Sequence, residues 1–461
     1  MGTTTKKISL ESIEPGAVAT QEYLSEKGEL LIAKGMVITE RHLDILRRRN
    51  IFEVFLKLSS EEEELQHIIS RQFDAVDDFE LEPEKQTEAP PPEKSPVVSN
   101  IKEGRIGLEQ LKKSEITFNL DKRIKSQGTA DRPFGRALAD KATQISVAER
   151  TEEYKERVAN QYEEALSETT ELLNRCAQGG DVNAQEVRST VSRFVKLFVT
   201  DKNILLNISG IKHKGKDYLY SHSLNVCLLS VNIAAACGYN EFQVMEIGMG
   251  AILHDVGMLL LPEKIRIQEK KLTEDEWFEV QKHPILGLHL MEKIKGLPES
   301  VPIISYQSHE RVNARGYPKQ RGTRLIHRFA KLVQVADVYE AMSSPRSYRR
   351  PLIPYKAMEN IIKMTKRNLV SSEYTKAFLQ YASLFPVGSL VQLNDDRIAK
   401  VIDTNKDSFA KPVVSVLTDK SGTPYSKEKI TQIDLHKDSS VQIVKALPND
   451  CMNAVGIMDG F

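Results

Sequence analysis

Four histidines and two aspartates fall in order between positions 222 and 337: His222, His254-Asp255, His283, His309 and Asp337, about 26 to 32 residues apart. That interval is roughly one helix and its turn. Six of the ten histidines lie in this stretch. Hydrophobic spacing around most of these positions is helical, not alternating. Imidazoles and carboxylates brought inward from successive helices are how an all-α domain gathers metal ligands in its core. The adjacent His254-Asp255 pair can address one metal with both side chains, and the second oxygen of Asp255 can bridge to another. Mixed imidazole and carboxylate ligation suits Fe, Mn or Zn better than Ca or Mg. Asp337 sits in the apolar helical run Val333-Gln334-Val335-Ala336-Asp337, where an unpaired carboxylate is costly, so it reads as a ligand or an ion-pair partner. Taken singly, each histidine is a core or surface histidine as readily as a ligand. The ordered set reads as a metal site.

Periodic helices position these residues over Val191 to Val199, Leu219 to Ala236, Phe242 to Leu253, Glu274 to Lys282, Leu286 to Ile294, Arg328 to Met342 and Lys356 to Met364. Thr273 and Glu276 form a capping box. Pro284 fits the first turn of the helix after His283. The helix after His222 is apolar almost all round and is therefore buried. Residues 181–385 thus form the core domain. Around it, residues 1–58 read as a small N-terminal α/β accessory or sensing domain: short strands about a Glu26-Lys27-Gly28 turn, a helix capped by Thr39, and a closing strand from Ile51 to Leu56. Residues 59–135, with the acidic run Glu61 to Glu64 and three successive prolines from Pro90, read as a flexible linker that cannot bury enough apolar surface to offset its ordering entropy. Residues 136–180 read as a long charged helix closed by Gly179-Gly180. It either packs on the core domain or forms a coiled-coil arm, and the arm would make a homodimer. Residues 386–446 read as a small C-terminal β extension of short strands, and 447–461 as a tail.

At 461 residues with zero net charge, the chain has room for two to four domains and is not a nonspecific binder of nucleic-acid polymer. No stretch reads as a run of ~18 apolar residues that would span a membrane, and the first residues lack an apolar signal core. Cys176, Cys227, Cys237 and Cys451 are isolated, which fits free thiols in a reducing cytoplasm.

The ordered motifs His222-Ser223, His254-Asp255-Val256-Gly257, His283-Pro284, His309-Glu310, Gly316-Tyr317-Pro318, Val335-Ala336-Asp337 and Arg346-Ser347-Tyr348-Arg349 resemble the HD-GYP subgroup of the HD hydrolases, bacterial phosphodiesterases that open the signalling dinucleotide cyclic di-GMP. The resemblance covers about residues 200–385. It implies a mainly α chain with an HD-type helical bundle as the catalytic domain, and a β extension like that of many members. It implies a first metal site of His222, His254, Asp255 and Asp337, with His254 and Asp255 as the catalytic pair. Asp255 bridges to a second metal on His283 and His309, the two ions being Fe or Mn. It implies substrate contacts from Tyr317, Arg346 and Arg349. The sequence departs from the family pattern at Ser308, where a further histidine is usual, and at Met258, where a lysine is usual. Asn313-Ala314 stands where the family has Asp-Gly, and Glu340 replaces an aspartate. Arg315 could replace the lost lysine charge.

Two readings follow. One is a metal-dependent phosphodiesterase that hydrolyses cyclic di-GMP to pGpG, GMP or both. The other is a catalytically degenerate HD-GYP protein that binds cyclic di-GMP or a signalling-protein partner.

Overall fold

The structure is a computed structural model. It describes residues 5–57, 108–127, 133–143, 151–201, 218–344 and 351–447, less short gaps at 11–12, 14–18, 20–21, 27, 34–35, 50, 269, 406–407 and 427–428. The chain divides into two compact units, Met1–Ser99 and Asn100–Phe461.

In the first unit, strands β1 (Thr5–Ser9), β2 (Tyr23–Leu24), β3 (Leu30–Ile32) and β4 (Glu53–Lys57) form an antiparallel sheet of order β1-β4-β2-β3. Helix α1 (Glu40–Arg48) precedes β4. Thr39 caps α1: its hydroxyl accepts the His42 N–H at 3.3 Å, and His42 Nδ1 accepts the Thr39 N–H at 3.2 Å. Leu10, Ile32, Ile38, Leu43, Leu46 and Val54 make the core. This is the small α/β pattern that the turn and capping residues predict.

Most of the described residues of the second unit are helical. Its helices are α2 (Leu108–Lys112), α3 (Glu115–Gln127), α4 (Glu152–Ala177), α5 (Ala184–Thr200), α6 (Leu219–Ala236), α7 (Glu241–Leu253), α8 (Glu263–Ile267), α9 (Glu274–Val280), α10 (His283–Met291), α11 (Ser300–Gln307), α12 (Arg328–Ser343), α13 (Pro354–Lys366) and α14 (Ser372–Ala382). Capping boxes open α5 (Asn183 with Glu186), α7 (Asn240 with Gln243) and α9 (Thr273 with Glu276). Helix α6 packs against α7 and α12, and α7 packs on α11. Helix α6 is 18 residues long and apolar enough, by length and composition, to cross a membrane, contrary to the sequence expectation; 83% of it is buried inside the fold. A central core helix needs the same all-round apolar surface that a lipid-exposed one does.

Two expectations about the region before this domain change. Within the predicted linker, 59–135, residues 108–127 are helical and packed: Leu108, Leu111, Leu120 and Ile124 are buried, and the Thr117 hydroxyl bonds back to the Lys112 carbonyl at 2.9 Å. Four apolar residues at helical spacing are enough to dock a segment whose composition is otherwise that of a linker. Residues 58–107 lie outside the described residues. The long charged helix starts at Glu152 rather than near 136, where Thr151 caps it through the Tyr154 N–H at 3.2 Å; residues 138–141 are a 3-10 turn.

The C-terminal strands β5 (Leu390–Leu393), β6 (Ile398–Asp403), β7 (Val413–Val416), β8 (Thr431–Asp434) and β9 (Ile443–Leu447) form an antiparallel sheet of order β8-β7-β6-β5-β9. In β6 and β7 the buried residues Ala399, Val401, Val414 and Val416 alternate with half-buried positions. Cys176, Cys227 and Cys237 are free thiols; Cys451 lies outside the described residues.

Candidate metal centre

The six predicted ligands come from five places in the helical unit and meet in one spot. His222 lies in the first turn of α6, His254 and Asp255 directly follow α7, and His283 opens α10. His309 follows α11, and Asp337 sits in mid-α12. The close approach of two backbones makes this meeting work: a Cβ at Gly257 would overlap the carbonyl oxygen of His283. Only glycine lets the turn after Asp255 lie against the start of α10.

Asp255 is the hub. Its Oδ1 lies 3.4 Å from His254 Nε2, 3.1 Å from His283 Nε2 and 3.0 Å from His309 Nε2; its Oδ2 lies 3.6 Å from His222 Nε2. Asp337 Oδ1 lies 3.3 Å from His222 Nε2 and 4.0 Å from His254 Nε2, and its Oδ2 lies 3.6 Å from His309 Nδ1. The side chains therefore sort into two ligand groups sharing Asp255: His222, His254 and Asp255, and Asp255, His283 and His309. All are buried.

Outer partners orient the rings. His254 Nδ1 meets the Ala251 carbonyl and His283 Nδ1 the Val280 carbonyl, each at 2.7 Å. A carbonyl only accepts, so each Nδ1 carries the proton and each Nε2 turns a lone pair to the centre. His222 Nδ1 contacts the Glu340 carboxylate in the same way. The Nε2 atoms of His254 and His283 are buried without a well-directed hydrogen bond, though both lie near Asp255. Buried orphan nitrogens facing a shared carboxylate are the donor set a divalent ion completes, so the residues fit two such ions.

The electrostatics agree. Burial alone would raise the Asp255 carboxyl, but the surrounding imidazoles of His254, His283 and His309 outweigh it and hold the group well below the usual carboxylate range. Asp337 is likewise lowered against its burial, by the neighbouring imidazoles of His222, His309 and His254. Burial lowers His309, and the hydrogen bond to Asp255 opposes this only in part. Ionised carboxylates and a neutral imidazole are the ligand forms a metal requires.

Tyr317 is at the site. Its ring stacks on His309 with centroids 5.0 Å apart and meets Trp277 edge-on at 5.6 Å. Its N–H donates to the His309 carbonyl at 3.0 Å. A Cβ at Gly316 would overlap the backbone of Glu310 and Arg311, so the loop folds tightly beneath the ring. Ser308 is buried, and its hydroxyl donates to the Ser305 carbonyl at 2.9 Å. Met258 is buried. Arg346 and Arg349 lie outside the described residues.

Three residues to which sequence reasoning gave no role support the loop. Glu310, fully buried, accepts the N–H groups of Lys319 and Arg321 at 2.9 and 2.7 Å and pairs with the Arg321 guanidinium at 3.1 Å. Arg321 also bonds Asp121 of α3 and stacks over Tyr306 at 4.6 Å. Burial pushes the Glu310 carboxyl up while Arg321 opposes it. Glu310 was visible beside His309, but nothing in the sequence tied it to Arg321 or Asp121.

Residues 212–370 match the HD domain, and residues 390–453 match a KOW domain associated with HD domains. The chain is 27% identical over 253 residues to the cyclic di-GMP phosphodiesterase PA4108 of Pseudomonas aeruginosa, covering 55% of this chain and 60% of that protein. It is 22% identical to the cyclic di-GMP phosphodiesterase PdeB of Borreliella burgdorferi, over 67% of this chain and 81% of that one. It is also 26% identical to a 3'3'-cGAMP-specific phosphodiesterase, number 2, of Vibrio cholerae, over 39% and 34%. The ordered His and Asp ligands and the Gly316-Tyr317-Pro318 loop all fall within the segment that matches the HD domain, and in their order they resemble the HD-GYP subgroup.

Proposed function

We propose that the chain is a metal-dependent phosphodiesterase that opens cyclic di-GMP to pGpG, GMP or both. The observation that carries this reading is the Asp255 carboxylate shared by four imidazoles, His222, His254, His283 and His309. His222, His254, Asp255 and Asp337 would hold one ion, and Asp255, His283 and His309 the other, Fe or Mn suiting this donor set. Bound there, two such ions supply a hydroxide nucleophile at neutral pH and offset the charge of the phosphodiester. Glu340 and the Ala251 and Val280 carbonyls fix the ring orientations, so little reorganisation is left when substrate arrives. Tyr317, stacked on His309, forms an aromatic wall against which a nucleoside can be oriented. Arg346 and Arg349 are assigned to phosphate and base on the strength of the motif alone.

A receptor that binds cyclic di-GMP without turnover is the second reading. Its support is the pair of departures at the site: the Ser308 hydroxyl is spent on Ser305, and a buried Met258 stands where a cation is usual. One experiment separates the two. Protein purified with Mn²⁺ or Fe²⁺ is assayed for metal content and for hydrolysis of cyclic di-GMP and of 3'3'-cGAMP. Linear product from cyclic di-GMP is the expected result. Tight binding with no product moves the chain to the receptor reading, and absence of metal removes the phosphodiesterase reading.

A further inference from the structure

We infer that helix α4, which precedes the matched HD segment, is a working part of the metal centre, and that Tyr162 is a positioning residue acting on His222 through Asn225 and Glu340. The inference rests on the metal-site reading above. Tyr162 lies in the middle of α4 and is 1% exposed. Its hydroxyl is 3.1 Å from Asn225 Oδ1, and Asn225 Nδ2 is 3.4 Å from Glu340 Oε1. Glu340 Oε2 meets His222 Nδ1.

The roles along this line are forced by what each group can do. An ionised carboxylate only accepts, so Asn225 must turn its amide nitrogen to Glu340 and its oxygen to α4. That oxygen needs a donor, and the Tyr162 hydroxyl supplies it. Glu340 then receives two hydrogen bonds, from Asn225 and from His222, and is fixed on both sides. Without Tyr162, Asn225 can rotate, Glu340 loses one anchor, and the His222 ring loses the partner that sets its tautomer. Outer-shell partners of this kind set metal affinity as well as geometry.

Helix α4 is itself firmly seated. Val158, Ala165, Leu166, Leu172 and Leu173 are buried beneath it. It packs on α6 and on the 3-10 turn Val256–Leu260 that follows Asp255, and Asn174 accepts the Tyr220 hydroxyl at 2.7 Å. The apolar stripe that could have served a coiled-coil arm is spent on its own domain. One helix thus supports ligands on α6 and, through the turn, Asp255.

The test uses the full chain and Mn²⁺. Tyr162→Phe keeps the ring and removes the hydroxyl. Competition against a chromogenic chelator should show the tighter Mn²⁺ site weakened by about 3- to 10-fold, less than the roughly 10- to 100-fold of a direct outer-shell partner because Tyr162 acts at two removes, while apo stability changes little. Asn225→Ala should weaken it at least as much, and the double variant no more than Asn225→Ala alone, because the two act in series. Asn225→Ser replaces the alanine in this cycle if that variant does not fold. Unchanged Mn²⁺ affinity in Tyr162→Phe overturns the inference and leaves the proposed function standing. Losses that simply add make Tyr162 a packing residue and overturn it too. A parent chain that binds no Mn²⁺ overturns both. A parent that shows the series effect without hydrolysing cyclic di-GMP upholds the inference and removes the enzyme reading.

Discussion

The two halves of the metal centre share Asp255 but are built to different standards. In the first, His222 and Asp337 stand on long, regular helices, His254 follows directly on a third, and His222 is backed by the buried Glu340 carboxylate. In the second, His283 is oriented by the Val280 carbonyl, but His309 lies beyond a helix end, at the head of a loop with unusual backbone. Ala314 and Gln320 both have positive φ, +62° and +56°. The neighbouring Ser308 turns its hydroxyl back to its own helix. One half has a charged outer shell on rigid elements; the other hangs on a tight loop with a family ligand replaced. The first half is expected to hold its ion through purification and the second to exchange.

The shared carboxylate gives the largest break. Asp255→Ala removes the one anion that faces four imidazoles and leaves them to repel one another once protonated. Metal analysis should find both ions lost and cyclic di-GMP hydrolysis gone. An Asp255→Ala protein with full metal content would end the two-half description.

Glu340→Ala strikes the first half alone. Removing a carboxylate partner of a ligating histidine typically costs 10- to 100-fold in metal affinity, so the tighter site should weaken by about that factor while the exchangeable one moves little. Equal weakening of both would mean that the halves are coupled through Asp255 rather than separately supported.

The first half was also the more legible. His222, His254 and Asp337 were readable because each lies in or beside a long periodic apolar run, and α6, α7 and α12 appear close to their predicted bounds. Helix α11, which delivers His309, was not read. It is eight residues long, carries Pro302 near its start and is rich in β-branched residues, which weakens every helical signal it has. The docking of α3 onto the loop through Asp121 and Arg321 had no local signature at all, since a long-range ion pair joins residues that look like ordinary surface charges in their own segments. Glu340 could be seen as a departure from the motif, but its contact with His222 depends on how α6 and α12 cross, which spacing does not specify.

Ser308→His tests whether the second half is weak for want of a ligand. A histidine there should raise metal occupancy at low Mn²⁺ by about tenfold, with the first site unchanged. Because Ser308 is fully buried, the larger ring must displace neighbours, at a cost of roughly 1–3 kcal/mol in the apo protein. Lower apo stability together with higher occupancy is the expected pair of results. Lower stability without gained metal would show that the new ring cannot reach the centre, and that the second half is limited by backbone, not by ligand count.

The smallest effect isolates that backbone. Ala314 holds a left-handed conformation in the loop where the family pattern has glycine, and an L-residue pays about 1–2 kcal/mol for it. Ala314→Gly removes that cost but gives the unfolded chain more freedom, which takes back about 0.5–1 kcal/mol. The net should be a gain of up to about 1 kcal/mol, read as a rise in Tm of roughly 1–3 °C for a domain of this size. The side chain is exposed, so no packing is lost. The first metal site should not respond, because its ligands stand on or beside helices outside this loop. If the relaxed loop also lets His309 settle, the exchangeable ion should bind slightly more tightly in the same variant. A fall in Tm would mean that the alanine makes contacts worth more than its strain, and the loop could no longer be called the weaker foundation of the two.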